Sequence, residues 1–191
     1  MPIDLRRRDL LGGLIHEYEA ASVCEPYGFL QLYERVSSRR RWTTLDWVLL
    51  HNHIHFLVKL SASGLSEGMQ ELVGGYSRWF NRKKGRTGEG HTFKNRFFSK
   101  QVASDSQLVT LCAYIALNPV EAGLCSDPAG WEWSGYPATV GRAEPTPFHD
   151  VDALLAHFGG GRRLSRRSAK ARYVSLVGDA LQRATMVESA A

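Results

Sequence analysis

Polar and apolar residues alternate over residues 53–56 within the largely apolar stretch 47–59, a pattern that predicts a β-strand with two histidines on one face. His53 and His55 are two positions apart and point the same way, whereas the apolar Ile54 and Phe56 point the other way. Neighbours on one face lie about 7 Å apart by strand rise, a separation that ring rotation closes around one divalent metal ion. Most histidine pairs of this kind only form hydrogen bonds, so a metal site needs a second element.

Residues 104–119 predict that second element, a helix. Ser104 followed by Gln107 matches a capping box at its start, and Pro119 is expected to end it. Apolar residues recur with helical spacing between these ends, at Leu108, Leu111, Cys112 and Ile115. The segment therefore predicts an amphipathic helix that packs one stripe into a core.

Two polar side chains on this helix are candidates for chemistry. Tyr114 and Asn118 are four residues apart, hence one turn apart, and they lie beside the apolar stripe. Tyr114 could act as a nucleophile and Asn118 as an oxygen ligand, and both could face the histidine strand. Taken alone, the commoner arrangement is a half-buried Tyr114 at the edge of the core with Asn118 as a C-terminal cap. The helix by itself leaves both alternatives open.

Several further motifs accompany these elements in one order between residues 42 and 140. They are Asn52-His-Ile-His55, Tyr76-Ser-Arg-Trp-Phe-Asn81, Gly85-Arg-Thr-Gly88, His91-Thr-Phe-Lys-Asn-Arg-Phe97, Tyr114-Ile-Ala-Leu-Asn-Pro-Val-Glu-Ala-Gly-Leu124 and Asp127-Pro-Ala-Gly-Trp-Glu-Trp-Ser-Gly-Tyr136. In this combination the chain resembles the single-tyrosine HUH transposases, in particular the REP-associated tyrosine transposase group with its IS200-like transposase domain.

The resemblance implies a fold and a mechanism. The implied fold is α+β, a ferredoxin-like (RRM-like) antiparallel sheet with flanking helices. His53, His55 and Asn118 would hold Mg²⁺ or Mn²⁺, and Tyr114 would attack a phosphodiester of single-stranded DNA. The tyrosine would become joined to the 5′ phosphate and leave a free 3′ hydroxyl. The implied partner is single-stranded DNA that contains a hairpin, bound by a monomer or a homodimer.

Two departures from the family pattern bear on activity. His51 stands where a proline is usual, and the family's first strand, an aromatic-His-Val-Thr segment followed by Arg-Gly, has only a faint counterpart in Leu14-Ile15-His16. The resemblance implies that an edge of the sheet and part of the DNA-reading surface come from this strand. A non-catalytic nucleic-acid-binding remnant is therefore the alternative function. A replication initiator or relaxase is disfavoured, because those proteins are larger and often carry paired tyrosines.

The charge distribution favours nucleic acid as the partner. The chain has 24 Lys and Arg against 19 Asp and Glu, and residues 76–101 contain eight basic residues and one acidic residue. A second basic run, residues 162–172, contains no acid. Aromatic residues interleave with the first run; most of these rings are expected in the core, while the cations contact phosphates of single-stranded DNA. The predicted DNA-binding residues are Arg78, Arg82, Lys83, Lys84, Arg86, Lys94, Arg96, Lys100, Arg162, Arg163, Arg166 and Arg167.

Length and patterning predict one core, with a transposase domain over residues 1–140 and a basic helical extension over residues 141–191. Helices are predicted at residues 29–37, 66–81, 106–118, 151–158 and 169–182, and strands at residues 43–50, 53–60 and 97–102. Cys24, Cys112 and Cys125 match neither a disulfide framework nor zinc spacing and are expected reduced. Without a long apolar run or a signal-peptide pattern, the protein is predicted to be cytoplasmic and associated with DNA.

Overall fold

The structure is a computed structural model that describes residues 25–61, 64–85, 93, 97–159 and 164–186, and the backbone alone of residues 13–19 and 187–188. The strands and helices are, in chain order, β1 (Gly13–Glu19), α1 (Pro26–Arg40), β2 (Thr43–Leu49), β3 (His53–Lys59), α2 (Leu65–Lys83), β4 (Phe98–Val102), α3 (Asp105–Glu121), α4 (Tyr136–Thr139), α5 (Val151–Ala156) and α6 (Arg166–Glu188). Short 3-10 turns occur at Pro128–Gly130 and His157–Gly159.

The four strands form one antiparallel sheet in the order β2-β3-β1-β4. With α1 after β1 and α2 after β3, this is the βαββαβ arrangement of the ferredoxin-like fold, which confirms the predicted fold class. The first strand, faint in the sequence, spans Leu14-Ile15-His16 and pairs with β3 on one side and β4 on the other. The expectation that it supplies a sheet edge is therefore wrong, because β1 is an inner strand.

The two faces of the sheet carry separate cores, as the period-2 pattern of β3 requires. Ile54, Phe56 and Val58 pack in a cluster with side chains of α1 and α2. Leu57, on the opposite face, packs in a second cluster with side chains of α3, α5 and α6. The C-terminal helices thus share a core with α3. The face that carries Leu57 is called the α3 face from here on.

The outer edge of β2 is covered by the segment that contains Trp133 and Gly135. Leu49 donates its backbone N–H to Trp133, and Gly135 donates to Trp47, both at 2.8 Å. This pairing explains the local role of the Asp127–Tyr136 motif, because an uncovered strand edge would expose unpaired N–H and C=O groups. Gly135 is needed at this point, since a Cβ there would lie 2.8 Å from Asp46 Oδ1.

The end of α3 differs from the sequence expectation. Pro119 lies inside the helix, which continues to Glu121, and Ala122 still donates to the Asn118 carbonyl at 3.0 Å. A proline removes only its own N–H bond, and so close to the C-terminus the loss is small. The turn is completed by Gly123 with φ 69°, a left-handed value that favours glycine.

Two other sequence expectations concern the cysteines and the membrane. Cys112 and Cys125 are free thiols, and Cys24 lies outside the described residues. No helix in the part of the chain that the structure describes is both long and apolar enough to cross a membrane.

Candidate active site

The two histidines of β3 lie on the α3 face of the sheet. They alternate with Ile54 and Phe56, which are buried against α1 and α2, so the rings project toward α3. The ring centroids of His53 and His55 are 5.1 Å apart. The face on which the sequence pattern places both histidines is thus the face that α3 covers.

Helix α3 is built as its sequence predicts. Ser104 Oγ accepts a hydrogen bond from Gln107 N at 3.3 Å, and Gln107 Oε1 accepts one from Ala103 N at 2.8 Å, so side chains satisfy N–H groups at the helix start. Leu108, Cys112 and Ile115 are buried in the core, while Leu111 is partly buried. This stripe sets the rotation of the helix and thereby the direction of its polar residues.

Asn118 bonds to the histidine strand and does not cap α3. Its side chain is only 5% exposed, and its Oδ1 lies 2.8 Å from His53 Nε2, a contact between residues 65 positions apart. The C-cap position is Ala122, so the capping role considered from the helix alone is wrong. Asn118 Nδ2 donates to the Tyr114 carbonyl at 3.5 Å, which directs the amide oxygen toward His53.

Tyr114 reaches the same place from one turn earlier. Its ring meets the His55 ring edge-on, with centroids 5.3 Å apart and planes at 78°. The side chain is 42% exposed, so the phenol is accessible from solvent while its ring contacts the site. The structure therefore brings together His53, His55, Tyr114 and Asn118, the four residues predicted for the chemistry.

His55 is a buried imidazole without a hydrogen-bond partner on either ring nitrogen. It is 1% exposed, and burial lowers its pKa to about 3, assisted by repulsion from His53 and opposed by the nearby Asn118 amide. The ring is therefore neutral at physiological pH and keeps a lone pair. A buried polar atom without a partner is costly, and a bound cation would satisfy the ring nitrogen that carries the lone pair.

The contacts of His53 point the same way. Its Nδ1 lies 2.7 Å from Asn52 Oδ1, and its Nε2 faces Asn118 Oδ1. A neutral imidazole has one N–H, so if Nδ1 donates to Asn52, two lone pairs face each other at Nε2 and Oδ1. In that tautomer, a cation held by His53 and Asn118 would relieve the repulsion. Asn52 then fixes the ring as an outer hydrogen-bond partner of a metal ligand does, a role that sequence reasoning missed.

The donor set fits a hard divalent ion. Adjacent ligands of an octahedral ion with bonds of about 2.1 Å lie about 3 Å apart, close to the 2.8 Å between His53 Nε2 and Asn118 Oδ1. The described residues include no group of three His, Cys, Asp or Glu side chains that could hold a metal. Among the described residues, the side chains that could hold an ion here are two imidazoles and one amide oxygen, a set that leaves positions open for substrate.

The predicted DNA-binding residues fall in different places. Arg78, Arg82 and Lys83 are exposed on α2, which packs on the sheet face opposite the histidines, and Lys84 is exposed at the C-cap of the same helix. Arg166 and Arg167 are exposed at the start of α6, on the α3 side, and Lys100 belongs to β4. Arg86, Lys94, Arg96, Arg162 and Arg163 lie outside the described residues.

Two basic side chains already have acidic partners. Lys83 Nζ lies 2.8 Å from Glu25, and Arg166 Nε lies 2.8 Å from Asp152. In addition, the ammonium of Lys84 lies 5.8 Å from the Phe80 ring centroid. The basic residues therefore differ in how much of their charge is available to a phosphate.

Comparisons with known proteins identify a family and a related fold. A family model described as "Transposase IS200 like" matches residues 22–118. No curated protein gives a significant match. Among solved structures, a REP-associated tyrosine transposase bound to a REP hairpin matches with a TM-score of 0.59 and 19% identity over 79% of this chain and 90% of that one. A proposed transposase from Deinococcus radiodurans R1 matches more loosely, with a TM-score of 0.40 and 10% identity over 59% and 95% of the two chains.

The first of these structures shares the fold described above. The family model matches half of the chain, and the matched residues include both site histidines, Tyr114 and Asn118. The resemblance drawn from the motifs is thereby confirmed. This chain belongs to the IS200-like transposase family.

Proposed function

We propose that this transposase is a metal-dependent endonuclease that cleaves and rejoins single-stranded DNA through a covalent 5′-phosphotyrosine at Tyr114. The proposal rests on the convergence of four side chains from two elements far apart in the sequence, with Asn118 Oδ1 2.8 Å from His53 Nε2 and the Tyr114 ring against His55. A non-catalytic binding protein has no need of that combination.

Tyr114 is the nucleophile. Its Oη forms a bond to the phosphorus of the scissile diester, the bond from phosphorus to the 3′ oxygen breaks, and the departing oxygen takes up a proton as the 3′ hydroxyl. When a 3′ hydroxyl attacks the phosphotyrosine, the diester is re-formed and the phenol is released. The covalent bond conserves the energy of the diester, which separates strand transfer from hydrolysis.

His53, His55 and Asn118 provide the metal site. A phenol is a weak nucleophile at neutral pH, and a bound Mg²⁺ or Mn²⁺ would neutralise charge on the scissile phosphate and polarise it toward attack. Asn52 holds the His53 ring, and burial keeps His55 neutral, so both imidazoles are pre-arranged as ligands. The half-exposed Tyr114 leaves room for a DNA strand beside them.

The proposed substrate is single-stranded DNA that contains a hairpin. The related solved structure holds a REP hairpin, and the exposed Arg167 and Lys84 are among the cations of this chain that would contact phosphates. The inner position of β1 supports the enzyme over the inactive remnant, because the strand whose weak signal favoured the remnant completes the sheet. A cytoplasmic location and a monomer or homodimer remain predictions.

The test is a covalent-adduct assay. Labelled single-stranded hairpin oligonucleotides are incubated with the protein and Mn²⁺, and a denaturation-resistant protein–DNA adduct is expected. Tyr114→Phe removes only the hydroxyl, so cleavage and adduct should vanish while DNA affinity holds. If Tyr114→Phe still cuts, the nucleophile is a water molecule or another residue. If the wild-type protein binds the hairpins but neither cuts nor forms an adduct, the non-catalytic remnant is the better conclusion.

A further inference from the structure

Phe98 is an exposed aromatic residue on a strand of the central sheet. The interleaved aromatic residues were expected to lie mostly in the core, as Tyr76, Phe80 and Phe93 do. Phe98 does not follow that expectation, since 61% of its side chain is exposed. A ring exposed to this extent gains little from burial, so packing among the described residues does not account for an aromatic residue at this position on β4.

The strand register places Phe98 on the same face as the active site. Phe98 pairs with Glu17 of β1, and Glu17 pairs with His55 of β3. Directly opposed residues in antiparallel strands share a face, so Phe98 lies on the α3 face, two strand spacings or about 10 Å from His55. Val102 supports this assignment of faces, because it lies four residues further along β4, on the same face as Phe98, and packs in the core with α3.

The surroundings of Phe98 fit an unpaired strand of DNA. Tyr114, on the helix that follows β4, is also exposed on this face and contacts His55. Lys100 occupies the next position on the same face of β4, in register with Ile15 and, through it, with Leu57. An aromatic residue and a lysine thus occupy neighbouring positions on the same face of β4. Proteins that hold single strands combine these two groups, rings for the bases and cations for the phosphates.

We propose that Phe98 stacks on an unpaired nucleobase next to the scissile phosphate and so positions the strand across the site. The proposal rests on the function proposed above and adds a base-binding subsite to it. Because stacking needs only the flat face of a base, the subsite accepts any of the four bases and contributes affinity more than sequence selectivity. Phe98 is a positioning residue, and the chemistry stays with Tyr114.

The experiment measures binding in a Tyr114→Phe background, so that no DNA is consumed. The probes are hairpin oligonucleotides with single-stranded tails that carry 2-aminopurine, a fluorescent adenine analogue, at successive tail positions. One position is expected to lose fluorescence through stacking on Phe98. Phe98→Ala should restore that fluorescence and weaken binding about 5- to 150-fold, the effect of one lost base stack. Phe98→Trp should keep both the quenching and the affinity.

An abasic nucleotide separates stacking from a general change in the fold. With the base removed at the quenched position, Phe98 has no partner, so Phe98→Ala should then cost no affinity. Tyr27→Ala is the matched control, because Tyr27 is 68% exposed on α1, on the opposite face of the sheet, and should leave binding unchanged. A loss that persists on the abasic probe, or an equal loss in Tyr27→Ala, overturns the subsite.

The outcomes distinguish the two proposals. If the wild-type protein forms the covalent adduct but no position is quenched by Phe98, the subsite is wrong and the catalytic proposal stands. If quenching depends on Phe98 but no adduct forms on any hairpin, the subsite stands and the protein is a binding remnant. If no probe binds at all, both proposals fail.

Discussion

Replacing the buried carboxyl of Asp46 should change how the stability of the fold depends on pH. Asp46 is fully buried on the α3 face of β2, where its carboxyl accepts hydrogen bonds from Trp47 N and from the Tyr173 hydroxyl, both at 2.9 Å. Burial raises its pKa from 3.8 to about 7, against the effect of these two hydrogen bonds. Asp46→Asn removes the titration and keeps nearly the same shape.

The magnitude follows from the two pKa values. The carboxyl loses its proton near pH 3.8 in the unfolded chain but near pH 7 in the folded protein. Between these values the folded state binds more protons, so the free energy of unfolding falls as the pH rises. Each pH unit contributes about 1.4 kcal/mol, and the whole window therefore corresponds to about 4 kcal/mol.

Other buried groups also titrate, so the effect of Asp46 on stability must be measured as the difference between Asp46→Asn and the wild type. Burial lowers the pKa of His149 to about 4 and that of His55 to about 3, so each contributes stability that is lost as the pH falls below its ordinary value of 6.5. These contributions oppose that of Asp46 in the wild-type curve. They cancel when Asp46→Asn is compared with wild type. Burial raises the pKa of Cys112 and of Tyr173, which stay neutral through this window.

The assay is urea unfolding of both proteins in a metal chelator, followed by circular dichroism. Between about pH 5 and about pH 8, the free energy of unfolding of Asp46→Asn should rise by about 3 kcal/mol relative to that of the wild type. About two pH units of that range lie below the pKa of Asp46 in the folded protein. Tyr173→Phe, which removes a hydrogen bond that favours the charged carboxyl, should extend the wild-type loss of stability to higher pH. A difference between Asp46→Asn and wild type that is independent of pH would refute the reasoning.

Two further predictions concern the metal and the DNA. Asn118→Ala should weaken Mn²⁺ binding at least about tenfold, measured as free Mn²⁺ by electron paramagnetic resonance. The control Gln101→Ala removes an exposed amide on the other face of β4 and should bind Mn²⁺ as the wild type does. Equal Mn²⁺ binding by the wild type and both variants would exclude the amide ligand. Arg82→Ala and Lys84→Ala should each reduce the salt dependence of single-stranded DNA binding by a log–log slope of about 0.7, whereas Lys83→Ala, whose charge is already paired with Glu25, should reduce it less. Unchanged slopes in all three would move the phosphate contacts to the α3 face of the sheet.

Local patterns in the sequence determined the elements of the site. The period-2 alternation around His53 and His55 predicts a strand with both rings on one face, since that spacing is a property of extended backbone alone. The cap formed by Ser104 and Gln107 and the stripe that includes Leu108 determine α3 in the same way, through contacts within a few residues. The order of several such motifs along the chain was enough to indicate the family and, through it, the fold.

The tertiary structure decided which of these elements meet. Asn118 could have capped its helix, and its contact with His53 exists only because α3 crosses the sheet face that carries the histidines. The inner position of β1 likewise depends on pairing with β4, which follows some eighty residues later, and the weak local pattern of β1 could not indicate it. The position of Phe98 could not be predicted from local sequence either, since its exposure on the face of the active site follows from a register across three strands. A periodic pattern reflects only interactions between residues that are close in sequence. An active site forms where distant segments meet, and which segments meet is decided by the packing of the whole core.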